Sequence, residues 1–263
     1  MRITRIGGPT AFIEWSGWRI LTDPTFDPPG RTYSFGAGTS STKVTGPAVP
    51  LDELEPIDVV LLSHHGHADN LDDAGRAGLA SATTVLTTRA AAKTLSHPDL
   101  RGLAAGDTVT LSAPGKPDIT ITATPGRHGA PLTLPLVGPV IGFALTLGGA
   151  TRPGLWMTGD TVLYGPLRRY AADLAPEVAL VHMGAVRFGL SGPLRYTMDA
   201  KEAGELIALA RPDVVVPIHV EGWSHFSEQE EATRKVLAAA PATVADRVRW
   251  APLGESIEVT TAH

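Results

Sequence analysis

The sequence predicts an α/β protein built from two mixed β-sheets packed face to face, with helices on both outer faces. Two observations carry this. Apolar runs of strand length recur along the whole chain, first alone and then alternating with helix-length segments, and turns rich in Gly and Pro separate them. The chain has 263 residues, of which 43% are hydrophobic, enough to bury one large core, so a single domain over residues 1–263 is expected.

The elements follow in order. Residues 2–6, 11–15 and 18–21 are short runs with β-branched or aromatic residues, separated by Gly-Gly-Pro and Ser-Gly turns, and predict an antiparallel meander. Residues 23–50, rich in Pro and Gly and without periodicity, predict a long loop, a kind of segment that is more often functional than idle. The apolar run 57–62 predicts a buried strand. Residues 71–81 and 88–96 are expected to form helices flanking a strand at 83–87. In the second half, strands are expected at 118–123, 140–147, 155–158, 178–182 and 214–218, and helices at 162–174, 199–210 and 227–239, the last followed by Pro241. Short strands near Val248 and at 257–260 close the chain.

Composition narrows the chemistry. The absence of cysteine excludes disulfides, thiolate nucleophiles and cysteine-rich zinc sites, so any metal must be held by nitrogen and oxygen. A net charge of -5 without a long run of like charge argues against a nucleic-acid-binding surface. No stretch has the length and hydropathy of a membrane span, and residues 1–8 lack the apolar run of a signal peptide, so a cytoplasmic protein acting on a small molecule is expected. A chain of this size with an exposed cleft is also a candidate homo-oligomer.

The strongest local signal is Ser63-His64-His65-Gly66-His67-Ala68-Asp69-Asn70, three imidazoles and a carboxylate at the exit of the strand at 57–62. Neutral imidazole nitrogens suit zinc, manganese or iron, and a nearby carboxylate raises affinity for a divalent ion. Further polar residues stand at later strand exits: His128 in Thr124-Pro125-Gly126-Arg127-His128-Gly129, Asp160 in Gly159-Asp160-Thr161, and His219 after Pro217-Ile218. Glu221-Gly222-Trp223-Ser224-His225-Phe226 follows closely and is expected to furnish a pocket wall, with Trp223 and His225 touching substrate or supporting the ligands from behind, ordinary core packing being the alternative for the aromatics. Asp23, in Thr22-Asp23-Pro24, can hydrogen-bond a metal-binding histidine or simply start a turn. Arg127, Arg187 and Arg195 are candidates to meet a substrate carboxylate or phosphate.

Taken in order, these motifs resemble the metallo-β-lactamase superfamily, whose members carry HxHxDH, a later His, a bridging Asp and a last His at strand ends of an αββα sandwich. The resemblance covers nearly the whole chain. Within it, Ile6-Gly7-Gly8-Pro9-Thr10, Leu21-Thr22-Asp23-Pro24, the Thr-Pro-Gly-Arg-His turn and Pro217-Ile218-His219 look most like the branch that includes ascorbate-6-phosphate lactonase and N-acylphosphatidylethanolamine phospholipase D. The resemblance implies that His65 and His67, or His64 and His67, join His128 around one ion, that Asp160 bridges two ions, and that Asp69 and His219 serve the second. Spacing favours His65, whereas the Ser63-His64 pair matches the Ser-His of this branch, and the choice stays open at this level. Asn70 stands where the family has the last His of its motif, and an amide oxygen is the weaker ligand, so the second ion is expected to be loosely held. Thr197, in Tyr196-Thr197-Met198-Asp199, stands where the lactonase-like branch carries a histidine.

The expected activity is metal-dependent hydrolysis by a metal-activated water on a small ester, lactone or phosphoester, with one or two ions per chain, zinc by default, and Asp69 and Asp160 in catalytic roles, Asp69 orienting water or taking up a proton. Two alternatives stand beside it. One is a phosphodiesterase acting on a lipid or nucleotide, favoured if residues 23–50 turn an apolar face to the cleft. The other is a metal-poor, non-catalytic binding relative, suggested by Asn70 and Thr197.

Overall fold

The computed structural model describes residues 1–261. The predicted meander is there as β1 (Arg2–Gly7), β2 (Thr10–Trp15) and β3 (Trp18–Thr22). Residues 23–50 are not a featureless loop: they contain the hairpin β4 (Thr32–Gly36) and β5 (Thr39–Thr42), whose alternating Thr-Tyr-Ser-Phe-Gly is strand chemistry hidden among prolines and glycines. Next come β6 (Ile57–Leu61), α1 (Asp73–Gly78), β7 (Ala82–Thr88), β8 (Leu100–Leu103), β9 (Thr108–Leu111), β10 (Ile119–Pro125), α2 (Leu134–Val137), β11 (Ile141–Leu147) and β12 (Leu155–Met157). The chain ends with α3 (Gly165–Ala172), β13 (Val178–His182), α4 (Ala200–Ala210), β14 (Val214–Ile218), α5 (Glu230–Ala238), α6 (Ala242–Ala245) and β15 (Ser256–Glu258).

One sheet has the order β15-β1-β2-β3-β6-β7-β8 and the other β14-β13-β12-β11-β10-β9. Each is antiparallel on one side and parallel on the other, the change falling at β3 in the first and β12 in the second. The alternation of side chains sorts the layers. Val59 and Leu61 of β6 meet Ile121, Phe143, Met157 and Leu180 in the core between the sheets, while Val60 and Leu62 turn to the opposite face, toward Leu71 and Leu79 around α1. On the second sheet Trp156, Ala179 and Val215 point outward under α3, α4 and α5, where Leu167, Ala203, Leu206 and Leu237 are buried. This is the αββα sandwich.

Two expectations need correction here. Residues 88–96 form only a 3₁₀ turn at Ala91–Lys93, because the chain must return at once to lay β8 parallel to β7 with Leu100 beside Val85. The predicted strand near Val248 is a single bridge to Val215. Strands β8 and β9 escape the sequence pattern because both lie at sheet edges with much of their surface in solvent. Among the described residues no helix is long and apolar enough to cross a membrane.

Candidate metal centre

Parallel strands deliver their next residue to a common edge, and here that edge is polar. Pairing of Thr22 with Leu61 sets Asp23 beside the exit of β6, and pairing of His182 with Ile218 sets His182 beside the exit of β14. Asp160 follows β12, and His128 follows β10 through the Pro125-Gly126 turn. Gly159 makes the approach possible: at φ +64°, a Cβ there would lie 2.6 Å from the Ile141 carbonyl oxygen and 3.0 Å from Ser63 Cβ. Asp23 and His219 themselves sit in the left-handed region, at φ 28° and 60°, conformations that cost about 1–3 kcal/mol each and that cluster at functional sites.

Two groups of three ligand atoms result. His64, His67 and His128 form one, and Asp69, Asp160 and His219 form the other; all six residues are buried. In the first, His67 Nδ1 lies 3.2 Å from His64 Nε2 and 3.1 Å from His128 Nε2. The outward nitrogens are held. His128 Nδ1–H donates to the Tyr196 carbonyl at 2.9 Å, and His64 Nδ1 bonds Ser63 Oγ at 3.1 Å, so the lone pairs of Nε2 face inward. Burial, reinforced by the neighbouring imidazoles, pushes His128 down to about 3 and His64 well below its ordinary value, and burial also lowers His67. All three are therefore neutral at physiological pH, the form that binds metal.

In the second group His219 Nε2 stands 3.5 Å from both Asp69 Oδ2 and Asp160 Oδ2, while Nδ1–H donates to the Met183 carbonyl at 3.2 Å. Burial opposes charge on His219, but the Asp160 and Asp69 carboxylates prevail and raise it to about 9. Burial raises Asp160 to about 6. Burial pushes Asp69 the same way, yet the facing His219 and the hydrogen bond from His225 hold it well below the usual carboxylate range. Both oxygens of Asp160, Asp69 Oδ1 and His219 Nε2 are buried without a hydrogen-bond partner. An unpaired buried polar atom costs about 1–3 kcal/mol, more for a charged group, and these three oxygens and one nitrogen belong to residues whose ligand atoms lie within 4.8 Å of one another, an arrangement that fits a bound cation.

The donor sets fit divalent metal. With Zn–N bonds of about 2.0–2.1 Å, tetrahedral coordination places ligand nitrogens about 3.3 Å apart, close to the spacings of the histidine group. The carboxylate group offers two carboxylates and one imidazole, a harder set that also accommodates manganese or iron.

Of the residues singled out in the sequence, His65 joins neither group. It is half-buried beside Arg76, and His64 takes the place that spacing assigned to it, because the chain after β6 turns rather than remaining extended. Asn70 also lies outside both groups; its amide donates to Asp23 Oδ2 at 3.2 Å. Asp23 is a hub behind the centre, accepting from the Ser63 amide at 2.6 Å and lying 3.2 Å from His182 Nε2; burial raises it to about 7. His225 faces the cleft and stacks on Phe188, its Nε2–H donating to Asp69 Oδ2 at 2.9 Å while Ser41 Oγ–H donates to its Nδ1. Trp223 takes the core alternative, buried under Tyr33 and Phe35 and not lining the cleft. Thr197 is spent on the backbone, donating to the Met183 carbonyl and accepting from the Val186 amide. Arg127 lies over the Tyr164 ring, Arg195 pairs with Glu202, and Arg187 is exposed.

Sequence reasoning missed His182, whose ring links Asp23 to Thr158, although Val178-Ala179-Leu180-Val181-His182 repeats the strand-then-imidazole pattern that picked out His219. It also missed Ser41 and the Tyr196 carbonyl, which no local pattern marks.

Comparison with known proteins agrees with this architecture. The description Beta-lactamase superfamily domain matches residues 18–220. A metal-dependent hydrolase of Methanosarcina mazei is 26% identical over 98% of this chain and 99% of its own. Among solved structures, isothiocyanate hydrolase from Delia radicum gut bacteria superposes with a TM-score of 0.80 at 19% identity, covering 99% of this chain and 100% of that one. Igni18, a metallo hydrolase of Ignicoccus hospitalis, superposes at 0.65 with 23% identity, covering 98% and 99%.

Proposed function

The chain belongs to the beta-lactamase superfamily, and from that premise we propose that it is a metal-dependent hydrolase that turns a water on a small ester or lactone, with His64, His67 and His128 holding one ion and Asp69, Asp160 and His219 a second. The observation that carries this reading is the pair of abutting ligand groups, one of nitrogens at ligand spacing and one of buried oxygens without partners. The names of relatives as metal-dependent hydrolases support it. When bound, divalent ions of this kind supply hydroxide near neutral pH and polarise the group under attack.

The protein's own residues set the stage for that chemistry. Asp160 keeps both oxygens without a hydrogen-bond donor, Oδ2 lying 3.5 Å from His219 Nε2, so it would serve as a ligand to an ion held there. Asp69 is kept ionised and fixed in direction by His225, which suits it to serve as a ligand. His182 and the Ser63 amide hold Asp23, which thereby braces the exit of β6 from behind. Zinc is the metal of choice for the three-histidine group, and the likeness of several motifs to the lactonase-like branch favours lactones and esters.

A second reading, a phosphodiesterase acting on a lipid, draws on the cleft face of residues 35–37, where Phe35 and Ala37 are apolar. It ranks behind the first because no Arg or Lys lines the cleft among the described residues. The test compares zinc-loaded and chelator-stripped protein on panels of lactones, carboxylic esters and phosphodiesters. Zinc-dependent turnover of lactones or esters is expected. Turnover confined to phosphodiesters would install the second reading, and metal-independent or absent turnover across all panels would contradict both.

A further inference from the structure

The free space directly above the ligand groups is small, about 40 Å³, room for a few waters or for one reacting group. The rest of any substrate must therefore lie further out, across the mouth. What it meets there is apolar. Phe35 and Phe188 contact one another at 5.3 Å between ring centroids and form a floor beside His225, and Leu136 and Val137 of α2 form the opposite wall.

The apolar lining continues outward onto the surface. Five of the seven large apolar side chains that stand exposed among the described residues, Leu132, Leu134, Leu136, Leu190 and Leu194, lie on the two segments that flank this mouth. Leu190 reaches the tip of the β4–β5 hairpin, its Cδ1 lying 3.4 Å from where a Cβ on Gly38 would stand. Isolated exposed leucines are ordinary on a protein surface, but a concentration around one cleft marks a binding face. Arg127 and Arg195 are engaged with Tyr164 and Glu202, and no Arg or Lys lines the cleft among the described residues, so beyond the metal centre no charged side chain on these walls would offset the cost of desolvating a charged substituent.

We propose that the substrate carries an uncharged aryl or alkyl arm that lies across the mouth against Phe188, Leu136 and Leu190 while its reacting group enters the small space above the ligand groups. This rests on the metal-centre reading above. The arm gains affinity by burying apolar surface, and charged analogues of equal size lose it.

The test uses two metal-chelating probes on zinc-loaded protein, benzohydroxamate and acetohydroxamate, which share a chelating head and differ in the arm. Calorimetric titration is expected to show benzohydroxamate binding at least about tenfold tighter, since burial of a ring is worth more than one decade in affinity. 4-Carboxybenzohydroxamate should lose that advantage. Leu136→Ser, an exposed position that the fold tolerates, should weaken benzohydroxamate severalfold without altering acetohydroxamate. Equal affinity of the two parent probes would overturn the arm while leaving the metal centre intact; failure of both to bind would overturn the metal centre and the arm with it. If Leu136→Ser instead changed the molar mass in light scattering and left both affinities alone, the leucines would cover a second copy of the chain, which also overturns the proposal.

Discussion

The two ligand groups lie side by side but are built on opposite principles. The histidine group is neutral: burial strips protons from His64, His67 and His128, and each outer nitrogen of His64 and His128 is fixed by an oxygen. The carboxylate group is charged: Asp69 is held ionised and His219 is held protonated by the carboxylates it faces. A neutral cage of imidazoles is ready for a cation at any pH near neutrality. The charged group must first surrender a proton from His219, and its unpaired oxygens make it the less stable of the two until an ion arrives.

Removing a ligand from only one group should break the comparison most visibly. Asp160→Ala is expected to abolish the ion of the carboxylate group and to lower turnover more than about 100-fold, while the histidine group keeps its ion. Elemental analysis paired with initial rates checks this, and loss of both ions would show that the groups act as one. Asp23→Ala strikes the support that both share, since Asp23 bonds Ser63 beside one group and Asn70 beside the other. Stranding those buried donors should cost on the order of 3 kcal/mol, read from the denaturant midpoint.

A finer cut separates the groups again. His225→Phe should weaken zinc at the carboxylate group by about 10- to 100-fold, because Asp69 loses the donor that fixes its direction, with the histidine group unaffected in a competition titration. The smallest effect is in pH. His219 is raised from 6.5 to about 9, so its contribution to the stability of metal-free protein is complete below pH 6.5 and is lost as pH rises through 9. Asp160 and Asp23, raised to about 6 and about 7, lose stability in the same direction at lower pH. Below pH 6.5 the lowered His64, His67, His128 and His182 act in the opposite sense, so denaturation in chelator should show stability rising from pH 5 toward about 6.5 and declining from pH 7 to 9 as His219 loses its proton, by at most about 1.4 kcal/mol per unit for each group as it titrates, and zinc should flatten the upper limb. A profile that stays flat or keeps rising from pH 7 to 9 in chelator would remove the charged half of the comparison.

The sequence made the histidine group and the carboxylate group legible to unequal degrees. Strand exits marked His67, Asp69, His128, Asp160 and His219, because an apolar run ending in a polar residue records both burial and position. Spacing and the Ser63-His64 pair pulled in opposite directions over His64 and His65, and the sequence left the choice open, since it depends on a turn whose geometry is fixed by packing against β11 and Gly159 rather than by local propensity. The αββα layering followed from the continuous apolar runs of β6, β12, β13 and β14 alternating with helix-length segments, whereas the edge strands β8 and β9 and the hairpin β4–β5 carry too little buried surface to register. Supporting contacts fared worst. Ser41 lies 184 positions from His225, and a partner supplied at that separation leaves no trace in a window of sequence.

The measurement that bears most directly on the account is zinc stoichiometry by equilibrium dialysis of the stripped protein at pH 8, with free zinc varied over several decades. Two ions per chain in two resolved steps, the tighter retained in Asp160→Ala, is the predicted result; a protein that takes up no zinc at any concentration would contradict it.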